Sequence, residues 1–152
     1  MKTEITPEEY INIYEGCDWN PKAFSIILKR LGYSDELIVN GDLDLEGTPI
    51  QSLGNLKTVR GWLDLEETPI QDLGNLQKVG TDLDLRRTSI QDLGNLQHVG
   101  GSLWLTNCTN LLTLGNLKKV GGFLDLENTP LSKKYSEKEI REMIDVMDDI
   151  YL

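Results

Sequence analysis

Carboxylates and aromatic rings recur at fixed spacing in this chain, and they set the chemistry open to it. Asp44, Asp64, Asp84 and Asp125 each lie between two leucines, as in Leu63-Asp64-Leu65. Asp42 and Asp82 stand two residues earlier in their segments, and Glu46, Glu66 and Glu127 two residues later. Trp62, Trp104, Phe123 and Tyr151 fall in the same columns where an acid is missing. A row of acids can pair with the Lys or Arg of a partner or hold a hard cation such as calcium through oxygen ligands. Two carboxylates at suitable separation can also work as a hydrolytic pair. Exposed rings beside charge are the usual makings of a binding hot spot.

The catalytic reading is the weakest of these. Asp64 and Glu66 are the best candidate pair, but the pattern places them on an open face with no evident pocket. Cys108 falls in a column otherwise filled by threonine, and no histidine aligns with it. His98, the only histidine, shares its column with Thr58, Lys78 and Lys119 and reads as a solvated residue. One histidine and two distant cysteines cannot make an ordinary zinc site. The ordered loop of a calcium-binding motif is absent, and so are a phosphate-binding glycine loop and a nucleophile elbow. The chain therefore reads as a non-enzyme with no cofactor and no metal.

What positions these residues is an internal repeat of about twenty residues. Residues 43–59, 63–79, 83–99 and 103–120 each open on Leu-x-Leu, reach Thr or Cys three residues later, pass through Gly-Asn-Leu and close on Val. A fifth copy begins at Leu124-Asp125-Leu126 and then departs. Side chains alternate along a strand, so Leu43 and Leu45 point inward while Asp42, Asp44 and Glu46 point outward. Ile50, Leu53, Leu56 and Val59 complete the interior of the coil. Thr48 can satisfy backbone groups of adjacent coils, Gly54 supplies an unusual backbone angle, and Asn55 closes the turn.

Leu-x-Leu-x-x-Thr-x-Ile, as in residues 63–70, resembles the leucine-rich repeat signature, with Thr48, Thr68, Thr88, Cys108 and Thr129 where that family usually has Asn or Cys. The resemblance covers roughly residues 37–131, and the short units look like compact bacterial or phage-borne versions. It implies an α/β solenoid: a stack of parallel strands, a helical N-terminal cap and a helix-plus-strand C-terminal cap. The residues assign 1–40 to the first cap, 41–131 to the repeats and 132–152 to the second, all in one continuous domain.

Both caps carry helix signals. Thr6-Pro7-Glu8-Glu9 reads as an N-cap with a capping box, and Asn20-Pro21 starts a second helix that Gly32 stops. Ser136 and Glu139 form another capping box, with Ile140, Met143, Ile144 and Met147 expected on one helical face. Ile150-Tyr151-Leu152 imitates Leu103-Trp104-Leu105 and predicts a last strand.

Across the stack the outward residues line up in three columns. The first holds Asp42, Trp62, Asp82, Ser102 and Phe123. The second holds Asp44, Asp64, Asp84, Trp104, Asp125 and Tyr151. The third holds Glu46, Glu66, Arg86, Thr106 and Glu127. Strands about 4.8 Å apart make Asp44, Asp64 and Asp84 a rail of like charge, with neighbours repelling by roughly 1 kcal/mol in water. Duplication of the unit or a solubilising face explains such a rail as well as recognition does. The departures from the repeat are more telling: Trp62, Trp104 and Phe123 replace polar residues, and Arg86-Arg87 replaces an acid pair and is expected to neutralise the rail between Asp64 and Asp84.

The formal charge of −10 argues against a direct grip on nucleic acid and favours a basic protein partner. A module that binds such a partner through Trp62, Trp104, Phe123 and the aspartates is the expected function, with inhibition of a nucleic-acid-binding protein as its sharper form. A carbohydrate- or calcium-binding module is the alternative. No secretory segment or apolar span is read from the sequence, so the cytoplasm is expected and a membrane partner is not. Asp148-Asp149 beside the last strand protect its edge, which points to a monomer.

Overall fold

The Leu-x-Leu segments, too short to hold a sheet singly, form one by stacking. The computed structural model describes residues 1–152, and in it the repeats wind as a parallel β-solenoid. One wall, the front sheet, is built from β3 (Leu43–Asp44), β5 (Leu63–Asp64), β7 (Leu83–Asp84), β9 (Leu103–Trp104), β11 (Leu124–Asp125) and β13 (Ile150–Tyr151), each parallel to the next. The register is unshifted, so Leu43 faces Leu63 and Asp44 faces Asp64, and so on along the stack. The final strand expected at Ile150 is present and pairs with Leu124–Asp125.

The opposite wall is also a sheet, not the helical side that an α/β solenoid implies. It holds β1 (Lys2–Ile5), β2 (Tyr33–Val39), β4 (Leu56–Val59), β6 (Lys78–Val79), β8 (His98–Val99), β10 (Lys119–Val120) and β12 (Asp145–Val146), in that order. The reason lies in the period. Twenty residues accommodate two short strands and two turns, whereas a return helix of three turns would alone need about eleven. Val59, Val79, Val99 and Val120 point inward from this sheet, and Lys78, His98 and Lys119 stand exposed on its outer side.

Between the walls runs a continuous core. Leu43, Leu45, Ile50, Leu53, Leu56 and Val59 of the first coil are all fully buried, and their counterparts stay buried in the coils that follow except Leu114, the fourth coil's match to Leu53, which is partly buried. At about 1.5–3 kcal/mol for each buried aliphatic, this row is the main driving force of the stack. The threonine column lines the inner edge of the turn. Thr48, Thr68, Thr88 and Thr129 donate to the carbonyls of Leu45, Leu65, Leu85 and Leu126 at 2.7–2.8 Å. These backbone bonds stay within one coil, while the Thr88 hydroxyl also meets Cys108 Sγ of the next coil at 3.6 Å. Gly54, Gly74, Gly94 and Gly115 all have positive φ, as the Gly-Asn turn requires.

Helices occur only at the two ends. Helix α1 (Pro7–Gly16) and α2 (Pro21–Arg30) lie against the first coil through Tyr10, Tyr14, Phe24 and Leu28, which are buried, and Tyr10 Oη donates to Leu53 O at 2.9 Å. Residues 1–40 are thus not purely helical, since β1 and β2 flank the helix pair and join the back sheet. At α1 only half of the expected capping box forms: Thr6 Oγ1 accepts from Glu9 N at 3.1 Å. Helix α3 (Pro130–Lys134) and α4 (Glu137–Met143) follow the repeats, and at α4 both halves of the Ser136–Glu139 box are made. Helix α4 ends at Met143, earlier than the apolar spacing suggests. Asp145–Val146 leaves it to pair with β10, and Met147 ends up exposed. No helix is long and apolar enough to cross a membrane.

Candidate interaction face

The front sheet places the second-column residues in strict register: Asp44, Asp64, Asp84, Trp104, Asp125 and Tyr151. Each aspartate also has a local task that the sequence did not reveal. Its Oδ1 accepts the backbone N–H two residues on: Glu46 for Asp44 (3.1 Å), Glu66 for Asp64 (2.9 Å), Arg86 for Asp84 (3.0 Å) and Glu127 for Asp125 (3.0 Å). This Asx turn satisfies a donor where the chain leaves the strand. The rail therefore recurs partly because it shapes the turn.

First-column acids bond between coils. Asp42 Oδ1 accepts from Trp62 N at 3.0 Å and Asp82 Oδ1 from Ser102 N at 2.7 Å, while Ser102 Oγ accepts from Phe123 N at 3.1 Å. The close approach demands glycine one residue before each donor. A Cβ at Gly61 would lie 2.0 Å from Asp42 Oδ1, and one at Gly101 2.2 Å from Asp82 Oδ1. Asp42 and Asp82 are accordingly ties between coils as much as outward charges.

Arg86 meets the rail at Asp84. Arg86 Nε donates to both carboxylate oxygens of Asp84 at 3.0 Å, and its Nη2 donates to Glu66 Oε2 at 2.9 Å. Its guanidinium also lies over the Trp104 ring, 5.1 Å from the centroid. Arg87 Nη1 reaches Glu67 Oε1 at 2.6 Å and Glu66 Oε1 at 3.7 Å. The pair neutralises Asp84, Glu66 and Glu67, and makes no ion pair with Asp64. The cause is position. Arg86 sits in the third column, where its fork reaches back one coil to Glu66 and sideways to Asp84.

Asp64, like Asp44 and Asp125, has no ion-pair partner, and of the rail only Asp84 is paired. Partial burial raises the pKa of Asp64; the Glu66 N–H opposes that, and the charges of Asp84, Asp44 and Glu66 reinforce it. Arg86, held by Asp84, is pushed well above its ordinary value. Two carboxylate groups, Asp44–Glu46–Asp64 and Asp64–Glu66–Asp84, bring oxygens within 4.8 Å of one another and are the residues that could face a cation. In the second of them Arg86 already occupies that role.

The aromatic residues stay on the solvent side of the sheet and divide into two sets. Trp104 and Phe123 meet edge to face at 4.6 Å between centroids, and Phe123 meets Tyr151 the same way at 5.6 Å. Trp62, 37% exposed, stands apart from this strip. Between Trp62 and Trp104 lies an open groove of about 300 Å³, bordered by Asp64, Asp82, Asp84 and Arg86. Register alone would have put the two indoles on one face; that they frame a groove depends on the side-chain conformers. Cys108 is sealed inside, donating to Leu85 O at 2.9 Å, and burial pushes its thiol up. That geometry suits packing, not attack on a substrate.

The chain matches no protein-family model, and no curated protein or solved structure is significantly similar to it.

Proposed function

We propose that this chain is a non-enzymatic interaction module of the leucine-rich-repeat type, which binds a positively charged protein through its front sheet. The observation that carries this reading is the groove between Trp62 and Trp104, where rings on the solvent side border Asp64, Asp82 and Asp84. Rings supply desolvated contact area, and the acids steer a basic partner and fix its orientation. Asp44 and Asp125 extend the charge on either side, and Phe123 and Tyr151 extend the ring surface. The module works as a cytoplasmic monomer, and its sharper form is an inhibitor that fills the basic groove of a nucleic-acid-binding protein. A calcium or carbohydrate role has less support, because the best enclosed acids are already engaged by Arg86.

Capture from a lysate, with the retained proteins identified by mass spectrometry, tests the proposal. The wild type retains basic proteins that elute with salt, and the Trp62→Ala/Trp104→Ala double variant loses at least nine-tenths of them. Undiminished capture by a folded double variant would remove the front sheet from consideration.

A further inference from the structure

Arg86 shows how the acids and rings of this face hold a guanidinium within the chain. Its guanidinium lies over the Trp104 ring, takes both oxygens of Asp84 and bonds Glu66 of the preceding coil. One coil earlier the solenoid repeats the acids and leaves out the cation. Asp64 replaces Asp84, Glu46 replaces Glu66, and the third-column residue is Glu66 in place of arginine. A ring is still to hand: Trp62 stands across the groove from Trp104, with Asp64 and Asp82 between them. Arg86 already covers the Trp104 ring, whereas no cation of the chain lies over Trp62, the ring on the other side of the same open groove.

We infer that the Trp62 side of this groove takes an arginine side chain presented by the basic partner, in preference to lysine. The inference rests on the functional reading above and narrows it. A guanidinium is planar: it can lie against an indole face while its fork engages a carboxylate with two parallel bonds, as Arg86 does. An ammonium offers a point charge that cannot do both in one plane, and it is more strongly hydrated. The groove suits one side chain of this shape, because it is open at its surface, holds about 300 Å³ and carries three aspartates between two indoles. Asp64 receives the guanidinium, since it is the counterpart of Asp84 one coil earlier and no cation of the chain pairs with it, and Trp62 covers it.

Three synthetic dodecapeptides of one Gly-Ser backbone, carrying arginine, lysine or citrulline at the same positions, test this on the full chain by calorimetry and tryptophan fluorescence. The arginine peptide binds at least fivefold more tightly than the lysine peptide, and citrulline abolishes binding. Asp64→Asn and Trp62→Ala each reduce the arginine-to-lysine ratio to near one. Arg86→Gln, which frees Trp104 and Asp84, raises that ratio. Equal affinity for arginine and lysine peptides, both lost in the Trp62→Ala/Trp104→Ala variant, would overturn the inference and leave the front-sheet reading standing. Binding of neither peptide would also overturn it, and capture of basic proteins by the same preparation would show whether the broader reading fails with it. An unchanged or lowered ratio in Arg86→Gln would contradict the use of Arg86 as the template.

Discussion

Asp64 and Asp84 occupy the same place on successive coils, pair with each other in register and make the same bond to the backbone two residues on. They differ in what stands two residues later. Arg86 grips Asp84, whereas Glu66 adds another negative charge beside Asp64. A repeat copies backbone and core faithfully, but electrostatic character passes to whichever residue occupies the third column. One acid becomes part of a closed network and its neighbour is left without an ion pair. The contrast also shows that a structural role does not consume the charge: Oδ1 shapes the turn while the carboxylate as a whole stays acidic.

If the two coils differ only outside, substitutions inside should not tell them apart. Leu63→Ala and Leu83→Ala each remove a side chain that is buried to within 1% of completely. Each should lower unfolding stability by about 2–5 kcal/mol through lost burial and a residual cavity. Urea denaturation should find the two losses within about 1 kcal/mol of each other. A large inequality would show that the coils differ in packing, and the comparison would lose its footing.

Outside, the same chemical change should have opposite consequences. Asp84→Asn keeps the amide oxygen that closes the turn but removes the charge that holds Arg86. It should cost about 1–2 kcal/mol, less than a buried charge pair would, because Arg86 is 36% exposed. Asp64→Asn keeps its turn bond as well, and relieves repulsion from Asp44, Asp84 and Glu66. It should leave stability unchanged or raise it by up to about 0.5 kcal/mol. Equal destabilisation by both variants would mean that the Asx turn, not the charge, decides the role of the rail.

How much of this could be read from the residues depends on distance along the chain. Leu43, Leu45, Ile50 and their copies announce a solenoid because twenty-residue spacing and inward alternation are local facts. The columns follow directly, since parallel coils of equal length keep register. The back sheet does not follow: His98–Val99 and Lys119–Val120 are two-residue strands, too short to show any alternation. The strand Lys2–Ile5 is hidden for a similar reason, as its first three residues are polar and exposed and only Ile5 is buried. The grip of Arg86 on Asp84, Glu66 and Trp104 spans three coils and is set by a side-chain conformer, which no pattern in the sequence specifies. The Asx turns were legible in principle, because Asp-x-x-x-Thr recurs, but Leu-Asp-Leu reads first as an alternating strand.

The smallest expected effect of the surroundings of Asp64 is on how stability depends on pH. Burial and like charge put the folded-state pKa of Asp64 above its ordinary value of 3.8. Well below that value Asp64 carries its proton in both the folded and the unfolded chain, and the penalty is absent. As pH rises past 3.8 the unfolded chain releases the proton first, so unfolding gains from the rise until the folded Asp64 ionises too. Stability is thus lost, not gained, as pH climbs through the folded pKa, the reverse of a carboxylate held by a cation. An amide at this position mimics the protonated acid throughout. The melting temperature of Asp64→Asn should therefore equal that of the wild type near about pH 3 and exceed it near about pH 7, by an amount that shrinks with added salt. The difference between the two melting curves reports the charge of Asp64 together with its coupling to Asp44, Asp84 and Glu66. A gain that is largest in acid, or one that is independent of pH, would mean that the open groove beside Trp62 does not hold an unanswered charge.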